Sequence, residues 1–307
     1  MSLRYITFRL LQALLLLVLA TLVVFLLLRL VPADPALLLL GGHGTQADVQ
    51  AIREALGLNR PLYVQYIDYM ARLLHGDLGS SLASKEPVAD MIRSHLPATI
   101  LLALGATALG VPLGVGIGFL SALKRYSWID TIALFVALMA QSMPIYWLGL
   151  MLILFFAVRL HALPAVGYGT LPHLILPSIT LSTYILGLLI RVTRSSLLEI
   201  LNEDYIRTAR GKGLRERTVI VRHAFPNVLI PIITILGLQI GTLLSGAVIT
   251  EAVFAWPGLG TLAVVALAKR DYPVVQGVVL VTAAMFVLIN FCVDLCYGYL
   301  DPRIRRA

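Results

Sequence analysis

Six stretches of this chain carry no Asp, Glu, Lys or Arg and are long enough to cross a lipid bilayer. The first is residues 10–28, 19 residues held between Arg9 and Arg29, about 28 Å long at the helical rise. The others lie within 96–123, 131–158, 160–190, 223–250 and 272–293. A bilayer core needs roughly 20 apolar residues per helix, and backbone polar groups in lipid must be bonded within their own segment. That combination decides the fold class: an all-α integral membrane protein with about six transmembrane helices. Composition agrees, with 59% hydrophobic and 13% charged residues where a soluble domain carries about 25% charged.

The first run follows a basic start and so resembles a secretion signal. Its length and the lack of a small-x-small cleavage site favour an uncleaved first helix. The run from 160 opens as a loop, because Pro164, Gly167, Gly169 and Pro172 break any early helix. Its spanning part starts nearer His173.

Net charge is +8, but the basic residues sit between apolar runs rather than on a polar face, so they report orientation and not nucleic acid. With the N-terminus inside, the inner segments hold fifteen basic residues and the short outer loops three, Arg159, Lys269 and Arg270. The expectation is N-in and C-in. Cys292 and Cys296 lie four apart in an apolar run and read as packing residues, with no metal set around them.

Two connecting segments are too large to be mere links. In the outer one, 31–95, Thr45 starts a helix that stops at Gly57, and Pro61 opens an amphipathic stretch ending at Gly76. It is either a folded cap or a docking surface. In the inner one, eight basic and four acidic residues lie between Arg191 and Arg222. Asp204 caps a short helix on which Tyr205, Ala209 and Gly213 fall at i, i+4 and i+8, a small-residue face flanked by Arg207, Arg210, Lys212, Arg215 and Arg217.

Residues 204–227 contain D-Y-I-R-T-A-R-G-K-G-L and R-H-A-F-P-N. Other marked segments are L-R-L-V-P-A-D-P from Leu28, L-G-L-N-R-P-L-Y-V-Q-Y from Leu56 and G-D-L-G-S-S from Gly76. S-M-P-I-Y-W-L-G from Ser142, V-F-A-W-P-G-L-G from Val253, R-D-Y-P-V-V-Q from Arg270 and D-P-R-I-R from Asp301 follow. In this order they resemble the membrane subunits of binding-protein-dependent ABC importers, in the oligopeptide/dipeptide/nickel group. Two departures stand out. The superfamily's leading Glu-Ala-Ala is replaced by Arg207, Thr208 and Ala209, with Gly213 in the glycine's place, and Gly211 stands where the group more often has Ala.

The resemblance implies a type I ABC importer permease fold in a bacterial inner membrane. Its parts are a first helix (1–30), an external helical loop (31–97), a five-helix core (98–300) with a cytoplasmic coupling loop about 196–227, and a tail (301–307). It implies a second homologous permease, two ATPase subunits that carry ATP and Mg, and an external solute-binding protein. The coupling residues would be Asp204, Tyr205, Ile206, Arg207, Thr208, Ala209, Arg210, Gly213 and Leu214, entering an ATPase cleft with Arg207 and Arg210 on its acidic residues. The expected cargo is a short peptide, with glutathione or a nickel chelate as alternatives.

This chain has no phosphate-binding loop of its own: Gly211–Lys212 is followed by Gly213, not Ser or Thr. It is expected to be no enzyme, with no cofactor, catalytic residue or metal ligand. An ion-coupled transporter would need ionisable groups near the midplane, and an intramembrane protease would need a base for Ser195 or Ser196 beyond the lone His223. Pathway or gate candidates are Ser142, Pro144 and Tyr146 around a mid-span proline, and Trp256 and Pro257 in a re-entrant or a plain turn. Gly110, Gly114 and Gly118 read as helix-packing glycines, and Glu251 and Asp294 as acids at span ends.

Overall fold

A computed structural model describes residues 3–30, 45–55 and 57–300. The tail 301–307, residues 31–44 and the side chains of Asp294 and Cys296 lie outside what it describes. Twelve α-helices can be followed among the described residues.

Helix α1 is Leu3–Leu30; α2, Gln46–Ala55, and α3, Leu62–Leu74, belong to the segment expected to be outer. Thr45 and Asp48 exchange hydrogen bonds at the start of α2, with Asp48 N–H on Thr45 Oγ1 at 3.3 Å and Thr45 N–H on Asp48 Oδ2 at 2.9 Å. Gly57 and Gly76 follow α2 and α3 with φ of 65° and 78°, the left-handed conformation that lets a helix stop. Tyr66 and Tyr69 of α3 pack on Phe25 of α1, and Thr21 shares a 2.9 Å hydrogen bond with the Tyr66 hydroxyl. The outer segment is thereby tied to the first span.

The core begins with α4, Val88–Leu123, which has 36 residues. The expected boundary at 97/98 falls inside this helix. Asp90 and Arg93 end the charge-free run without ending the helix, because charge limits what enters lipid and not what is helical. Likewise α7, Leu171–Ile200, runs ten residues beyond Ile190, and α12, Tyr272–Leu300, passes Val293. The expected span 131–158 is two pieces, α5 (Trp128–Ser142) and α6 (Ile145–Leu152, continued by π-helical turns Ile153–Arg159), bent by 105° at Met143–Pro144. The mid-span proline, lacking an N–H, caps the start of a new helix there. Counting this pair as one, six candidate spans are present among the described residues.

After α7 come α8 (Asp204–Gly211), α9 (Glu216–Thr218), π-helical turns Val219–Ala224 and α10 (Phe225–Val253). A short α11, Leu259–Ala268, precedes α12. The most extensive packing is α4 on α7. A Cβ at Gly110 would lie 2.7 Å from Ile185, at Gly114 2.8 Å from Leu189, and at Gly118 2.6 Å from the Ile190 carbonyl. The three glycines are the packing stripe expected of them. From α7, Gly187 approaches α5 in the same way, 2.5 Å from the Ala137 carbonyl.

Candidate functional site

The segment expected to be inner folds as a short helix docked across the ends of α7 and α10. Ile206 and Ala209 are buried among Leu197, Val219, Ala224 and Val228. This corrects the expected outward face: Ala209 is 6% exposed and packs on its own chain, so it offers no approach to a partner. Asp204 does not cap the helix either. Glu203 holds that position without a side-chain bond, and Asp204 sits in the first turn, where its charge suits the helix dipole.

Arg210 is also committed internally. It grips Glu216 with Nε and Nη2 at 3.1 and 2.7 Å and so closes the turn 212–215, while Glu216 raises the Arg210 pKa by accepting these bonds. Gly213 has φ 76° and nothing within 4 Å of where a Cβ would lie. It is there for the turn, and it stands on open surface. Tyr205, bound by Asn227 at 2.8 Å, and Leu214 are 43% and 39% exposed. Around them Arg207, Thr208, Lys212, Arg215 and Arg217 are exposed. The result is a rigid knob with two apolar anchors in a basic rim, the composition of a protein-docking surface.

Just above it, Arg194 of α7 binds Asp130 of α5, which also accepts from Ser121 Oγ at 2.6 Å and Tyr126 N–H at 3.0 Å. The knob packs on α7, and α7 is in turn ion-paired to α5. Sequence reasoning missed this pair; an Asp three residues after Ser127 at a helix start was the available signal.

Of the pathway candidates, Ser142, Pro144 and Tyr146 are exposed at the α5–α6 break. Trp256 is not. It is 1% exposed, donates to the Ala98 carbonyl at 2.8 Å and meets Tyr168 edge-on. Burial inside its own chain makes Trp256 a core residue, with Pro257 half-buried beside it. The turn is held by Glu251, fully buried, which accepts from Thr99 Oγ1 at 2.7 Å and Thr261 N–H at 3.0 Å. At the α11–α12 turn, buried Asp271 binds Ser81 Oγ and the Leu82 N–H, the latter at 3.0 Å, and so ties the outer segment to the core. Ser195 Oγ bonds to the Arg191 carbonyl of its own helix at 3.0 Å.

This arrangement of spans, knob and outer segment can be set beside known proteins. The sequence profile of the binding-protein-dependent transport system inner membrane component matches residues 114–306, and the profile of its N-terminal part matches 2–103. The chain belongs to this family. It is a multi-pass inner-membrane permease component of an ABC importer. The dipeptide transport system permease protein DppB of Alkalihalophilus pseudofirmus is 42% identical, covering 93% of this chain and 94% of that protein. DppB of Escherichia coli strain K12 is 40% identical with the same coverage. The glutathione transport system permease protein GsiC of Pectobacterium atrosepticum is 42% identical over 99% of both. A chain of the inward-facing MetNI methionine ABC transporter superposes with TM-score 0.58 at 18% identity, covering 69% of this permease and 96% of that chain, which supports the fold alone.

Proposed function

We propose that this permease forms half of the membrane path of an ATP-driven importer of short peptides, and that the α8 knob is where ATPase motion enters it. The observation that carries the substrate is the kinship with dipeptide permeases over 93% of the chain. The knob's exposed basic and apolar surface supports the coupling role, since Tyr205, Arg207 and Leu214 all reach the surface.

In this reading the N- and C-termini are cytoplasmic, and a second, homologous permease completes the pore. Two ATPase subunits bind ATP and Mg, and an external solute-binding protein delivers cargo to the side bearing α2 and α3. Ile206 and Ala209 anchor α8 so that a push on the knob moves α7, and Arg194 carries it to α5. The test is uptake of labelled dipeptides, a tripeptide, glutathione and nickel in cells with and without this chain. Loss of dipeptide uptake is expected. Loss of glutathione uptake alone would move the assignment to the GsiC-like reading, and loss of nickel uptake alone would refute a peptide cargo.

A further inference from the structure

Most of the surface that the spans leave uncovered is apolar, as lipid requires. On α1 it presents Leu11, Leu14 and Leu15, and on α5 Ile132, Phe135 and Leu138. One strip differs. Along the second half of α7, Tyr184, Arg191, Ser195 and Glu199 are exposed, while Ile185, Leu189, Ile190, Thr193 and Leu197 between them are buried. Their spacing of seven, four and four places them on one helix face.

Arg191 lies about 30 Å along the axis from Leu171, near the end of the hydrocarbon layer closer to α8. Its Nη1 donates to Gln141 Oε1 at 3.0 Å. A guanidinium has five N–H donors, and this is the one bond described for the Arg191 guanidinium. The contact joins the strip to the α5–α6 break, where Ser142, Pro144 and Tyr146 are exposed. There α6 begins with the N–H groups of Ile145, Tyr146 and Trp147, which have no preceding turn to bond to. Irregular backbone within the hydrocarbon layer is tolerated only against water or protein, and an arginine near the end of that layer turns its charge toward a polar side. Two independent features, a polar strip and a broken helix, thus mark the same face as turned away from lipid.

We infer that this face lines the aqueous path and that Arg191, steadied by Gln141, receives the carboxylate of the passing cargo. The inference rests on the peptide reading above: every free peptide carries a carboxylate, and a guanidinium binds that group by paired, charge-assisted hydrogen bonds. Gln141 turns the guanidinium toward the break, and Glu199, two turns further along the same face, repels the carboxylate and keeps the contact transient.

The test uses the assembled transporter in proteoliposomes with saturating loaded binding protein. Arg191→Gln should cut dipeptide uptake about tenfold, the effect of losing a hydrogen bond to a charged group, with normal insertion and co-purification of the ATPases. Arg191→Lys, which keeps the cation but not the paired bonds, should retain more uptake than Arg191→Gln and less than the unaltered transporter. In an Arg191→Cys variant that also carries Cys292→Ser and Cys296→Ser, an aminoethyl thiosulfonate, which restores a cation, should recover uptake, and a sulfonatoethyl reagent should not. Wild-type uptake by Arg191→Gln, or failure of both charged reagents to modify Arg191→Cys, overturns the inference; the second result would place this face against the other permease or lipid. An unaltered transporter that imports no peptide overturns the peptide reading along with this one, whereas a peptide importer indifferent to Arg191→Gln overturns this one alone.

Discussion

Arg194 grips Asp130 with two parallel hydrogen bonds, Nε to Oδ1 at 2.6 Å and Nη2 to Oδ2 at 2.8 Å, and so joins α7 to the first turn of α5. The carboxylate side chain is 5% exposed and the guanidinium 20%. Removing either partner leaves a nearly dry charge, which costs about 3–5 kcal/mol in buried pairs. Arg194→Met should therefore lower the thermal stability of the detergent-solubilised permease sharply. Arg194→Lys should recover only part of it, because a single ammonium cannot reproduce the fork. Equal stability of all three proteins in a melting assay would refute the strut.

The α4–α7 contact gives a prediction with an internal control. At Gly118 a Cβ would stand 2.6 Å from the Ile190 carbonyl and 2.8 Å from Thr193 Cβ, and a backbone carbonyl cannot move aside. Gly116, half a turn away, has nothing within 4 Å. Gly118→Val should separate the helices at a cost of about 1–3 kcal/mol or more and reduce the amount of folded protein in the membrane. Gly116→Ala should be neutral. Comparable folded yields from the two variants would contradict the close packing.

Glu251 supplies a third prediction. It lies wholly inside the protein and caps the start of α11 together with Thr99, whose Oγ1 donates to the carboxylate and accepts the Leu259 N–H at 2.8 Å. Glu251→Ala strands the Thr99 hydroxyl and the Thr261 N–H, at about 1–3 kcal/mol for each unsatisfied group. Glu251→Gln keeps an acceptor and should cost less. Limited proteolysis at residues 254–258 is the readout: cleavage should rise strongly for the alanine variant and modestly for the glutamine one.

How much of this was legible in the sequence depends on which force sets each feature. The spans and the glycine stripe were readable, because hydrophobic run length and a four-residue repeat are local properties of residues 96–123 and their like. Helix ends were not, since Asp90, Arg93, Arg191 and Arg194 stop an apolar run without stopping a helix. The short helix at Asp204 was readable, and Tyr205 and Gly213 are exposed as expected, but Ala209 on the same expected face is buried. Ile206 and Ala209 turn inward because the buried surface of Val219, Ala224 and Val228 waits 10 to 22 residues ahead, and no helical wheel shows that. Trp256 looked like a gate because Trp-Pro-Gly breaks a helix. Its burial depends on the Ala98 carbonyl, 158 residues away.

The buried face of α8 and the exposed turn after it should respond differently to charge. Ile206→Asp puts a carboxylate among the buried residues around Leu197 and should destroy folding of the inner segment, seen as loss of protein from the membrane. Leu214→Asp lies on open surface and should leave membrane levels unchanged while weakening co-purification of the ATPase subunits. Loss of insertion in both, or in neither, would be at odds with the inward and outward assignment.

The central claim is that ATPase motion enters through the exposed turn after α8, and one substitution tests it most directly. In the assembled, reconstituted transporter, Gly213→Trp places a large side chain on the open surface and strains a backbone at φ 76°, by about 1–2 kcal/mol, too little to unfold the protein. Dipeptide import and the stimulation of ATP hydrolysis by loaded binding protein should both be lost, with the permease still folded and inserted. Import at the unaltered rate by Gly213→Trp would contradict the account.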